Sequence, residues 1–145
     1  DDEFRMRWQQ RQTQMITELN EKVFSRDPLR VIRATFSSID VVNSNYIKEL
    51  KNRENYHSKS FDNWIIEKIK YDFLVNQAKI DNKIPGYICR FNDGKYIAWN
   101  LSKLKEPKWY KKPLPKNSKF GDNTFIDKDV GDLMLEDGVE LICES

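Results

Sequence analysis

Around residues 81–86, "DNKIPG", the apolar pattern of this chain changes period, from about 3.6 upstream to 2 downstream. A period near 3.6 lines apolar side chains along one helix face, whereas a period of 2 sends them to one face of a strand. Helices followed by hairpins imply an α+β fold. The expectation is about four N-terminal helices packed on a small C-terminal antiparallel sheet built of hairpins. No helical pattern separates the downstream strands, so a parallel βαβ arrangement is not expected. At 145 residues the chain reads as a single domain, or as a fragment of a longer protein, with a helical half over 1–82 and a β half over 83–145.

Within the helical half, residues 3–24 carry Phe4, Trp8, Met15, Leu19 and Val23 along one stripe, opposite a Gln- and Arg-rich face. "SRDPLRVIRATFSSI" reads as a second helix, with Asp27 as cap, Pro28 in its first turn, and Val31, Ile32, Thr35, Phe36 and Ile39 along one side. "NSNYIKELKNR" reads as a third, capped near Ser44 or Asn45. The fourth, about 60–79, starts at Ser60 and buries Phe61, Trp64, Ile65, Ile69, Phe73 and Leu74. Downstream, "YICRF" and "KYIAWNL" flank the hairpin turn Asp93–Gly94, with Ile97, Trp99 and Leu101 on one face and Tyr96, Ala98 and Asn100 on the other. "NTFID" is a short strand, and "DLMLEDGVELICE" reads as a second hairpin turning at Asp137–Gly138.

Aromatic residues make up 12% of the chain, which argues against a disordered chain. There is no apolar run of about 18 residues and no signal-peptide pattern. Cys89 and Cys143, the only cysteines, lie in alternating apolar runs and read as buried free thiols. That pattern fits a reducing, intracellular compartment, cytoplasmic or nuclear.

Most dedicated chemistry is absent. The five glycines never cluster as a phosphate-binding loop requires. His57, Cys89 and Cys143 lie too far apart for zinc. The acidic stretch "DNTFIDKDVGDLMLED" fails the calcium-loop frame from either Asp122 or Asp127. No nucleophile motif surrounds any serine or cysteine, so the sole histidine, His57, reads as structural. No cofactor, metal site or catalytic residue is therefore expected.

One stretch of about twenty residues, "KIPGYICRFNDGKYIAWNLSKL", resembles the central hairpin of the PD-(D/E)XK nuclease superfamily. That superfamily carries Pro-Asp entering one strand and Glu-x-Lys on the next, after a helix, and its acidic groups hold the metal that activates water. Here Gly86 follows Pro85 where the family has Asp, and Asn100 and Ser102 fall where Glu and Lys belong. The resemblance implies a degenerate nuclease-like core without its catalytic side chains.

Charge is unevenly spread. Residues 51–119 carry sixteen basic and seven acidic side chains (+9), residues 120–145 one basic and eight acidic (−7), and the first fifty balance. The basic excess peaks in "SKLKEPKWYKKPLPKNSKF", residues 102–120. Lys103, Lys105, Lys108, Lys111, Lys112, Lys116 and Lys119 supply charge for a phosphate backbone, and Trp109 and Tyr110 supply faces for base stacking. Pro107, Pro113 and Pro115 favour an extended loop. The stretch holds no arginine, so non-specific backbone contact is favoured over base readout. The leading expectation is a non-enzymatic nucleic-acid-associated module, on DNA or RNA. The alternative is a protein–protein interaction or assembly domain that uses the N-terminal helix and the acidic C-terminal segment for a partner or for self-association. No membrane contact is expected.

Overall fold

The computed structural model describes residues 2–35, 38–116 and 124–142. Among these are two α-helices and nine strands in two sheets, which overturns the four-helix reading. The order is α1 (Asp2–Lys22), β1 (Arg30–Ala34), β2 (Ser38–Val42), β3 (Tyr46–Arg53), β4 (Asn63–Glu67), α2 (Lys68–Asp81), β5 (Ile84–Phe91), β6 (Tyr96–Asn100), β7 (Tyr110–Pro115), β8 (Phe125–Met134), a 3₁₀ turn (Leu135–Asp137) and β9 (Val139–Ile142). The large sheet runs β1-β2-β3-β5-β6-β9 and the small one β4-β8-β7.

The first helix forms as expected, and Gln12, Met15 and Leu19 are its buried residues. The expected second and third helices are instead the antiparallel β1, β2 and β3. Strands β1 and β2 are rich in β-branched residues, which suit a pleated surface. Strand β2 is buried along its whole length, so its apolar run shows no alternation. Asp27 caps no helix; its carboxylate accepts the Ser44 amide at 3.1 Å and so braces the β2–β3 turn. In that turn Asn43 Oδ1 accepts the amides of Asn45 and Tyr46, at 3.0 and 2.8 Å. Turn chemistry, not capping, explains the Asn and Ser cluster.

The fourth expected helix is split. "NWIIE" is strand β4 with alternating burial, and α2 follows it with Glu67 as its N-cap residue. The residues α2 buries are Tyr71, Leu74 and Ala78, while Ile69 is 74% exposed and Phe61 also faces solvent. The segment from β3 through β4 and α2 returns the chain to β5, which pairs with β3 in parallel. A parallel pair needs a long crossover of this kind. This corrects the all-antiparallel expectation.

Two cores result, one on each face of the large sheet. Helix α1 lays Met15 and Leu19 against Ile39, Val41, Leu50, Ile88, Tyr96 and Ala98. Helix α2 and the small sheet cover the other face, where Trp64, Tyr71 and Leu74 meet Tyr87, Cys89, Phe91, Ile97, Trp99 and Leu101. The alternation expected along β6 is therefore observed, and the Gly94 φ of 80° supports the expected turn. The second hairpin is not formed, because β8 and β9 belong to different sheets joined by the 3₁₀ turn. Gly138 serves there by size: a Cβ would lie 2.5 Å from Ile97 Cγ2. Cys89 is a buried free thiol, and Cys143 lies outside the described residues. No described helix is long and apolar enough to cross a membrane.

Lys48 is buried on the α1 side, with its Nζ 4.4 Å from the Tyr46 ring centroid and 5.7 Å from that of Phe24. Burial pushes its pKa down to about 8. The folded state thus binds its proton less tightly than the unfolded chain does, so stability rises as pH climbs from about 8 towards the ordinary lysine value. Lys48→Met is expected to stabilise the protein at pH 7 by about 1–3 kcal/mol, after allowing for the rings that favour the cation. The gain should shrink by pH 10. Urea denaturation of both proteins at the two pH values checks this; a gain independent of pH would contradict it.

Candidate active site

Strands β2 and β3 bring two acidic side chains directly opposite each other, since Asp40 and Glu49 are register partners. Side chains two apart on a strand share a face, so Lys51 lies beside Glu49. This face is the one under α2, because Lys70 of α2 reaches both carboxylates. Its Nζ is 3.8 Å from Asp40 Oδ2 and 3.6 Å from Glu49 Oε1. From the edge strand β1, Arg33 adds Nη2 at 2.6 Å and Nε at 2.8 Å, both to Asp40 Oδ2. The guanidinium also lies 4.8 Å from the Phe73 ring centroid of α2.

Asp40 and Glu49 are 1% and 3% exposed. Charged side chains are almost never this buried unless paired. The pairing is incomplete, because the buried Asp40 Oδ1 has no hydrogen-bond partner among the described residues. Leaving such an oxygen unsatisfied costs about 1–3 kcal/mol or more.

Burial is the main influence on Glu49 and raises its pKa; Lys51, Lys70 and a hydrogen bond from Ser38 pull it back, and Asp40 raises it. Burial likewise lowers the Lys51 pKa, helped by Arg53 and opposed by Glu49, Glu67 and Cys89. Behind Lys51, Arg53 anchors β3 to β4. It donates to the Ile65 carbonyl at 2.8 Å, to the Tyr87 hydroxyl at 3.1 Å and to Cys89 Sγ at 3.3 Å.

Among the described residues, no three His, Cys, Asp or Glu side chains gather around one point. A zinc site or an all-protein calcium cage needs more ligands than this pair offers. Two carboxylates do suit Mg²⁺, which keeps several waters and takes one or two carboxylates plus substrate phosphates. The orphaned Asp40 oxygen fits that role.

None of these residues was singled out from the sequence. Asp40 lies in "SIDVV", just past the end of the second expected helix, and Glu49 and Lys51 lie in "YIKELKNR", within the third. The available signal was an acidic residue inside an otherwise β-branched run.

The expected nucleic-acid loop is built differently. Residues 110–115 form β7, the edge of the small sheet, not an extended loop. Trp109 packs against the core, with its ring 5.2 Å from that of Tyr71 and its Nε1 donating to Glu106 at 3.3 Å. Tyr110 is 41% exposed and donates its hydroxyl to Asp132 at 2.6 Å, which pushes its pKa up to about 12. Lys111 pairs with Asp129 at 2.9 Å across the strands. Lys103 and Lys105 line a hollow that also contains Asp132 and Asp137. Lys108 and Lys112 are exposed, as is Lys116, whose amide donates to the Thr124 carbonyl at 2.8 Å; Lys119 lies outside the described residues. Of the two rings expected to stack on bases, Trp109 is thus packed and Tyr110 hydrogen-bonded, and part of the basic charge already meets the acidic segment. This arrangement supplies no evidence for nucleic-acid contact through the stretch, or for a protein interface.

His57 lies in an exposed turn, 3.4 Å from Asp93 Oδ2, and its Nδ1 accepts the Lys59 amide at 3.1 Å. Pro85, Gly86 and Asn100 sit on β5 and β6, with Ser102 just beyond, and bring no carboxylate to that hairpin. Compared with family models, curated proteins and solved structures, the chain finds no match.

Proposed function

We propose that the chain is a divalent-metal-dependent phosphodiester hydrolase of the nuclease kind, with its active site at Asp40, Glu49 and Lys51. The observation that carries this reading is Asp40 Oδ1, a buried carboxylate oxygen with no hydrogen-bond partner among the described residues, opposite a second buried carboxylate. Such a pair is costly to fold around, and costly buried charge marks functional sites. The pattern is also the one the nuclease resemblance calls for: an acid on one strand and Glu-x-Lys on the next. Here it is met by Asp40 and by Glu49-Leu50-Lys51 on β2 and β3, not by the β5–β6 hairpin.

Asp40 and Glu49 would hold the ion, which supplies positive charge to polarise the phosphate and acidify a water. Lys51 donates hydrogen bonds to the attacking oxygen and holds it in line. That oxygen bonds to phosphorus, the bond from phosphorus to the leaving sugar oxygen breaks, and the leaving oxygen takes up a proton. The proton shed by the water passes to solvent. A small-molecule substrate calls for an enclosing cavity. Asp40 instead lies beside β1, an edge strand exposed along all five residues, which supports access by a polymer.

The test is incubation of the purified protein with labelled single-stranded and duplex DNA and RNA. Expected is cleavage with Mg²⁺ or Mn²⁺ that stops on chelation. Intact substrates throughout, with both metals, would overturn the reading.

A further inference from the structure

We propose that Lys70 occupies the place of the divalent ion in the metal-free protein and, once displaced, binds the phosphate to be cleaved. This rests on the metal site proposed above. Three observations carry it. The ammonium sits between the two carboxylates at 3.6 and 3.8 Å, longer than the 2.7–2.9 Å of a charge-assisted hydrogen bond, so it bridges both and is locked to neither. Its side chain is 19% exposed, which leaves a route outward. And it stands in the first turn of α2, where the helix dipole favours acids; that turn holds none and carries Lys68 as well. Lys68 is held there by Asp72 at 2.6 Å, whereas the only ion-pair partners of Lys70 among the described residues are the two carboxylates themselves.

The consequence is two effects of opposite sign. While Lys70 lies between Asp40 and Glu49 it competes with a divalent cation. With the ion bound, the same ammonium is repelled from the carboxylate pair and is free to meet a phosphate oxygen. Arg33 neutralises Asp40 from the strand edge.

The experiment titrates Mn²⁺ into wild type, Lys70→Met, Lys70→Arg and Glu49→Gln by calorimetry, and measures cleavage in parallel. Lys70→Met is expected to bind Mn²⁺ at least about tenfold more tightly, because a positive charge within 4 Å of the ligands is gone. Its cleavage rate at saturating metal should fall at least about tenfold. Lys70→Arg keeps the charge and should retain near wild-type affinity, which guards against a Met variant that fails to fold. Equal or weaker binding by Lys70→Met, with Lys70→Arg unchanged, overturns the role of Lys70 and leaves the metal site standing. Absence of Mn²⁺ binding by wild type, or undiminished binding by Glu49→Gln, overturns the metal site and this inference with it.

Discussion

Glu49→Gln and Asp40→Asn are expected to lower metal-dependent cleavage by at least about 10³-fold, a loss of about 4 kcal/mol of transition-state stabilisation. Each change keeps the shape of the side chain and removes the charge that would hold the ion. The Glu49 variant carries a second signature. Burial raises the Glu49 pKa, so its ionised form is disfavoured in the folded state. A raised folded-state value means stability that is present below 4.5 and lost as pH rises through the folded value. Glu49→Gln removes that loss. At pH 7 the inactive variant should therefore melt no lower than wild type, and at pH 4 the difference should close. Cleavage assays with melting curves at both pH values check this. A variant that is both inactive and grossly unfolded would mean Glu49 is structural; an active one would mean it is no ligand.

Trp99→Ala is expected to cost about 4–5 kcal/mol. Trp99 is fully buried on β6 and donates its indole N–H to the Met134 carbonyl at 2.8 Å, tying the large sheet to the end of β8. Its ring lies 6.1 Å from that of Tyr87, and a Cβ on Gly138 would come within 3.1 Å of it. Truncation leaves a cavity and an unpaired carbonyl together. Against a typical stability of about 5–15 kcal/mol, the melting temperature should drop by about 10–20 °C. A drop of less than about 5 °C would show that the two sheets are not held together there.

How much of this was legible depends on where charge is buried. The first helix follows from its apolar stripe, and the β5–β6 hairpin and the two faces of β6 from a period of 2 around the Asp93–Gly94 turn. Strand β3 does not. Ile47 and Leu50, three apart, read as one helix face, yet they pack into different cores on opposite sides of the sheet. Between them lie Lys48 and Glu49, both buried. A pattern rule assigns charged residues to water, so a strand with buried charge is misread and its site is hidden by the same assumption. The error at β7 runs the other way: Pro113 and Pro115 argue against a strand, but an edge strand tolerates them.

Glu67 is both the last residue of β4 and the N-cap residue of α2. No loop separates the small sheet from the helix that carries Lys70. Any displacement of β4 against β8 is therefore expected to carry the first turn of α2, and Lys70 with it, as one piece.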